Sequence, residues 1–63
     1  MLQYKIYKDG FNVGLARGKN KAIGFIKSHL VFDGNAHRAK WYTQAGVIIC
    51  EVKDGPLWSI EQA

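Results

Sequence analysis

The chain opens on a period of two. In "LQYKIYK", Leu2, Tyr4 and Ile6 share one parity and Gln3, Lys5 and Tyr7 the other, the alternation of a strand with one buried face. Asp9-Gly10 follows, and Asp-Gly suits a two-residue type I′ turn because both central residues need positive φ. A hairpin closed by these two residues pairs Ile6 with Val13 and Tyr4 with Leu15, all on one face, and leaves Gly14 and Ala16 on the less apolar side.

From Lys21 the period lengthens to that of a helix. At about 100° per residue, Ala22, Ile23, Phe25, Ile26 and Leu30 fall on one arc, and Lys21, Gly24, Lys27 and Ser28 on the other, as expected for a helix docked on a sheet. Asn20 is the predicted N-cap. Gly24 lowers helix propensity by about 1 kcal/mol relative to alanine, which fits a solvent-side position or a close approach. "FDGN" at 32 to 35 ends the helix in turn chemistry and leads into a loop to Arg38.

Three short alternating runs complete the chain: "AKWYTQ", "VIICEV" and "LWSIEQ", separated by Ala45-Gly46 and by "KDGP". They predict antiparallel strands, with Pro56 placed in a turn where its missing N–H does no harm. The element order is ββαβββ, an α+β fold in a single domain spanning 1 to 63, with one helix packed on one face of an antiparallel sheet. Sixty-three residues allow one modest core and leave no room for a second domain.

Composition sharpens this picture in two respects. Apolar residues make up 48% of the chain, well outside the range of disordered sequences. The formal charge is +4, and it is unevenly spread. Residues 1 to 31 carry six cations (Lys5, Lys8, Arg17, Lys19, Lys21, Lys27) against Asp9, or +5; residues 32 to 63 carry Arg38, Lys40 and Lys53 against Asp33, Glu51, Asp54 and Glu61, or −1. A basic half of this kind suits nucleic acid or another acidic partner. Single Cys50 offers no internal disulfide, and the apolar runs are too short to span a bilayer; the expected location is the cytoplasm.

The stretch "GLARGKNKA" at 14 to 22 resembles a phosphate cradle, and its spacing fails the test. A P-loop needs four residues between its glycines and a hydroxyl after its lysine; here three residues separate Gly14 from Gly18, and Asn20 follows Lys19. What survives is a helix start, which carries unpaired N–H groups and partial positive charge, flanked by Arg17, Lys19 and Lys21. Cations there oppose the helix dipole, so the sequence accepts a local penalty where function is expected.

Catalytic chemistry finds little support. Asp9, Asp33 and Asp54 each precede a glycine and so have turn-forming roles, which leaves Glu51 and Glu61 for acid-base work. His29 falls in the apolar arc as a core-edge residue, His37 lies in a loop, and Cys50 sits inside "VIICEV" as a small hydrophobe. No zinc spacing links them. The expectation is a protein that is not an enzyme and has no cofactor or metal.

Aromatic residues are in surplus. Trp41 and Tyr42 are neighbours and must point to opposite faces, Tyr7 alternates away from the apolar side of the first strand, and the last two strands are apolar on both parities. One helix covers only one face, so a second cover is expected: a homodimer, a protein partner, or stacked bases. The resulting expectation is a nucleic-acid-binding protein of low sequence specificity, with Arg17, Lys19, Lys21, Arg38 and Lys40 on phosphates and Tyr7, Trp41 and Tyr42 stacking on bases. The alternative is a small inhibitor or adaptor, in the style of phage and mobile-element accessory proteins, that covers a surface of a larger protein.

Overall fold

The computed structural model describes residues 2 to 63. Its elements are β1 (Tyr4–Lys8), β2 (Phe11–Ala16), α1 (Lys19–Phe32), a single turn of 3-10 helix (Ala36–Arg38), β3 (Ala39–Gln44), β4 (Val47–Val52) and β5 (Leu57–Gln62). The five strands form one antiparallel sheet in the order β2-β1-β5-β4-β3, and α1 lies across one face. The expected ββαβββ architecture is therefore the observed one. The last strand inserts beside β1, joining the two hairpins into a continuous sheet.

Both two-residue hairpin turns take the backbone their residues favour. Asp9 and Gly10 have φ of 52° and 85°, and Ala45 and Gly46 have φ of 52° and 79°, the paired positive values of a type I′ turn. Next to the first turn the pairing is the expected one, Lys8 with Phe11 and Tyr7 with Asn12. Beyond it the register shifts by a β-bulge, so that Ile6 pairs with Gly14, Lys5 with Leu15 and Tyr4 with Ala16. The predicted pairs Ile6–Val13 and Tyr4–Leu15 are thereby corrected. Gly14 and Ala16, not Val13 and Leu15, share the helix side with Ile6 and Tyr4.

The physical reason for the shift lies in α1. A Cβ built on Gly14 would sit in van der Waals contact, 3.5 Å from the Phe25 ring and 3.6 Å from Ile6 Cδ1, so the helix approaches β2 to within a methyl group and a larger side chain there would have to displace the ring. The bulge brings the smallest residues of β2 beneath it. Leu15 is displaced to the opposite face, where it is 59% exposed.

The core lies between α1 and the sheet. Ala22, Ile26 and Leu30, one turn apart along the helix, are buried against Ile6, Cys50, Val52, Trp58 and Ile60. Trp58 is the largest fully buried side chain; its ring lies 6.5 Å from Phe25 and 5.5 Å from His29, and the Lys8 ammonium sits 5.3 Å from its centroid, within cation–π range. Lys8 is thus the cationic end of the helix-facing row Tyr4, Ile6, Lys8. His29 is exposed at the rim of this aromatic cluster, as a core-edge residue should be.

Helix α1 starts two residues earlier than expected. Gly18 is the N-cap, with φ of 119° and no side-chain cap, and Asn20 lies within the first turn. Only a residue free of Cβ strain adopts that φ readily, and this lets the chain leave β2 and enter the helix without a longer loop. At the other end, Asn35 N–H donates to Leu30 O at 2.8 Å and Gly34 N–H to Val31 O at 3.1 Å, with Gly34 at φ 72°. This is a Schellman cap, and it explains why the helix stops where "FDGN" begins. Gly24 has no atom within 4 Å of a built Cβ, so it occupies the solvent side of the helix.

Candidate nucleic-acid interface

The residues expected to contact nucleic acid separate into three places. The first is a groove of about 430 Å³ between α1 and the edge strand β3, lined by Lys19, Ile23, Lys27, Trp41, Tyr42, Thr43 and Ile48. Lys19, Ile23 and Lys27 are spaced four residues apart and form one flank of the helix. Trp41, which pairs with Cys50 on the helix side of the sheet, is half-buried there because α1 packs mainly on β1, β2 and β5 and leaves the β3 edge uncovered. Two ammonium groups thus border an indole, and none of the lining residues is acidic.

Lys21 takes the other flank. It lies one turn before Phe25, whose ring meets the Gly14 position of β2, so it sits on the β2 side of the helix, away from Lys19. Arg17 is exposed in the connection before Gly18. The first turn of α1 has no acidic residue and no side-chain cap, so its outermost N–H groups stay available in an all-cationic setting. Lys27 was not among the expected site residues. Its signal was the four-residue spacing from Lys19 through Ile23, which acquires meaning only once β3 is known to run beside that flank.

The second place is the base of β3. Arg38 and Lys40 line a depression with Glu51, Val52, Lys53 and Asp54. Two carboxylates stand among its three cations, so the local field there is weaker than in the groove. Lys40 also faces Glu51 directly across the β3–β4 ladder.

The third place is the sheet face opposite α1. Tyr7 and Tyr42 both lie there, in one row that crosses the sheet through Ser59 and Ile49. Three strand spacings separate them, or about 14 Å, so they are not a single stacking platform. Trp41 is on the other face, as neighbours in a strand must be. Lys5 is the direct partner of Glu61 on this open face, as Lys40 is of Glu51. The expected aromatic set therefore splits: Trp41 joins the lysines of the groove, Tyr42 borders it from the edge strand, and Tyr7 belongs elsewhere.

Cys50 is fully buried beneath α1, and burial pushes its thiol pKa upward. Among the described residues no three His, Cys, Asp or Glu side chains converge, and no helix is long and apolar enough to cross a membrane. No family model matches this chain, and neither the curated proteins nor the solved structures contain a significant match to it.

Proposed function

We propose that this is a non-enzymatic binding protein that holds single-stranded nucleic acid in the groove between α1 and β3. The carrying observation is the groove's composition: Lys19 and Lys27 on one helical flank, Trp41 on the floor, Tyr42 at the margin, and no carboxylate among the lining residues. Single strands are recognised by that combination, phosphate neutralisation beside an aromatic surface on which a base stacks. A duplex presents its bases edge-on inside grooves and would leave the indole without a stacking partner. Arg17 extends the cationic rim at the helix start, and Arg38 and Lys40 extend it along β3 with less effect, given Glu51 and Asp54 beside them.

Stacking and phosphate contact carry little sequence information, so affinity is modest, salt-sensitive and tolerant of sequence. A fluorescent oligonucleotide titrated at two salt concentrations tests the reading. Lys19→Glu with Lys27→Glu is expected to flatten the salt dependence, and Trp41→Ala to weaken binding at both salts by about 1–3 kcal/mol. Absence of binding at low salt, or equal binding by all three proteins, would remove the proposal. The competing expectation, a protein that covers another protein surface, draws on the open sheet face and not on the groove.

A further inference from the structure

The face of the sheet opposite α1 has no cover, and its chemistry differs from the rest of the surface. Leu15 and Leu57 are 59% and 47% exposed on it, Tyr42 is exposed, and Tyr7, Val47 and Ile49 are half-buried. By register its charged residues are Lys5, Lys40, Glu51 and Glu61, which sum to zero. The remaining charges, seven cations (Lys8, Arg17, Lys19, Lys21, Lys27, Arg38, Lys53) against Asp9, Asp33 and Asp54, account for the whole of the +4. A neutral apolar face on an otherwise cationic molecule is poorly suited to a polyanion and well suited to burial against a surface like itself.

We propose that a second copy of this chain covers this face, in a two-fold symmetric dimer. The charge positions supply the argument. Ser59, on the central strand, marks the middle of the face. Lys5 lies one strand to one side of it and two residues toward one end of the sheet; Glu51 lies one strand to the other side and two residues toward the opposite end. The two are related by inversion of position about Ser59, each offset by about 5 Å across and about 7 Å along the strands. Two such faces brought together about a two-fold axis lying in the interface plane and passing through Ser59 place Lys5 of each copy over Glu51 of the other. Isologous symmetry makes the contact twice.

That axis sets the strands of the two sheets crossing at about 70°, toward the orthogonal class of sheet packing. The face measures roughly 24 by 20 Å, from five strand widths of about 4.8 Å and six residues of strand. About 500 Å² per copy is at the lower limit for a specific interface and fits a dimer in exchange with monomer. The two groove sites would then lie on the outer surfaces of the dimer. The proposal does not rest on their ligand.

Sedimentation equilibrium from about 1 μM to about 1 mM protein tests it. The expected result is a monomer–dimer equilibrium within that range. Lys5→Glu and Glu51→Lys each are expected to weaken the dimer at least tenfold, since each places like charges opposite one another at two symmetric contacts. An equimolar mixture of the two variants is expected to dimerise at least as well as the parent, because one then presents two carboxylates at these positions and the other two ammonium groups. Both positions are exposed, and circular dichroism confirms that each variant is folded. A monomer throughout the range, or a dimer indifferent to both reversals, would overturn the proposal, the first outcome in favour of a different protein as the cover and the second in favour of another self-interface such as a strand edge.

Discussion

Asp9 shows how much one turn residue contributes beyond its turn. Its backbone N–H donates to Leu57 O at 2.8 Å, and its carboxylate accepts from Leu57 N–H at 2.9 Å, so it fastens the first hairpin to the start of β5. The sequence explained Asp9 by its neighbour Gly10 alone, because a contact spanning 48 residues leaves no local trace. Asp9→Ala removes the acceptor and makes positive φ costly, and is expected to lower stability by about 1–2 kcal/mol; Asp9→Asn keeps both properties and should stay near the parent. Urea unfolding midpoints distinguish the two. Cys50 was read correctly as a small hydrophobe, and its burial gives a second expectation. Native protein should react with a thiol reagent only as fast as it opens, whereas unfolded chain reacts at once. Because the folded thiol pKa is raised, the proton is held more firmly when folded. The stability it contributes is complete below the unfolded thiol pKa and is lost as pH rises above it.

At the scale of elements, helix α1 and the strand beneath it each carry one glycine, with opposite consequences. Gly24 faces open solvent, so Gly24→Ala is expected to stabilise the protein by about 0.5–1 kcal/mol, read as a higher thermal midpoint. Gly14, on the strand beneath, is the point at which the helix approaches the sheet. Hairpin closure at Asp9-Gly10 was legible because type I′ geometry is a local property of those two residues. The bulge was not, because its cause is the Phe25 ring meeting β2, and periodicity within β2 alone favours Val13 and Leu15 as the buried pair. The same limit applies to the helix start. Asn20 is the better cap by side-chain chemistry, yet Gly18 takes the position because the chain must turn sharply from β2 onto the sheet.

Across the whole molecule, the net charge lies off the open sheet face, whose own four charged residues cancel. Net charge acts at long range, so it would give any variant that loses one cation a similar loss of nucleic-acid affinity; position acts only through contact. Lys5→Glu and Lys19→Glu each bring the formal charge from +4 to +2, which removes net charge as a variable. Lys19→Glu is expected to weaken oligonucleotide binding and leave self-association unchanged, and Lys5→Glu to do the reverse. Fluorescence titration and sedimentation on the same two proteins read both effects. A parallel loss of nucleic-acid binding in both variants would show that the surface acts through net charge and not through the groove.

Strand and helix periods, turn dipeptides and the excess of cations in the first half are properties of residues a few positions apart, and from them the chain alone determined the ββαβββ order, the single α-helix, the type I′ turn at Asp9-Gly10, the position of the turn at Ala45-Gly46 and the apolar character of both sheet faces. Strand order, the insertion of β5 beside β1, the bulge and the helix start were settled by packing. They depend on which side chains meet across the core, such as Phe25 over Gly14 and Trp58 under Lys8. The candidate site divides along the same line. Its residue types were visible in "GLARGKNKA" and "AKWYTQ", but only the placement of α1 across the sheet brings Lys19 and Lys27 to Trp41, turns Lys21 to the other flank, and leaves Tyr7 on a neutral face. Short-range chemistry chooses the elements; the single core they must share chooses their neighbours.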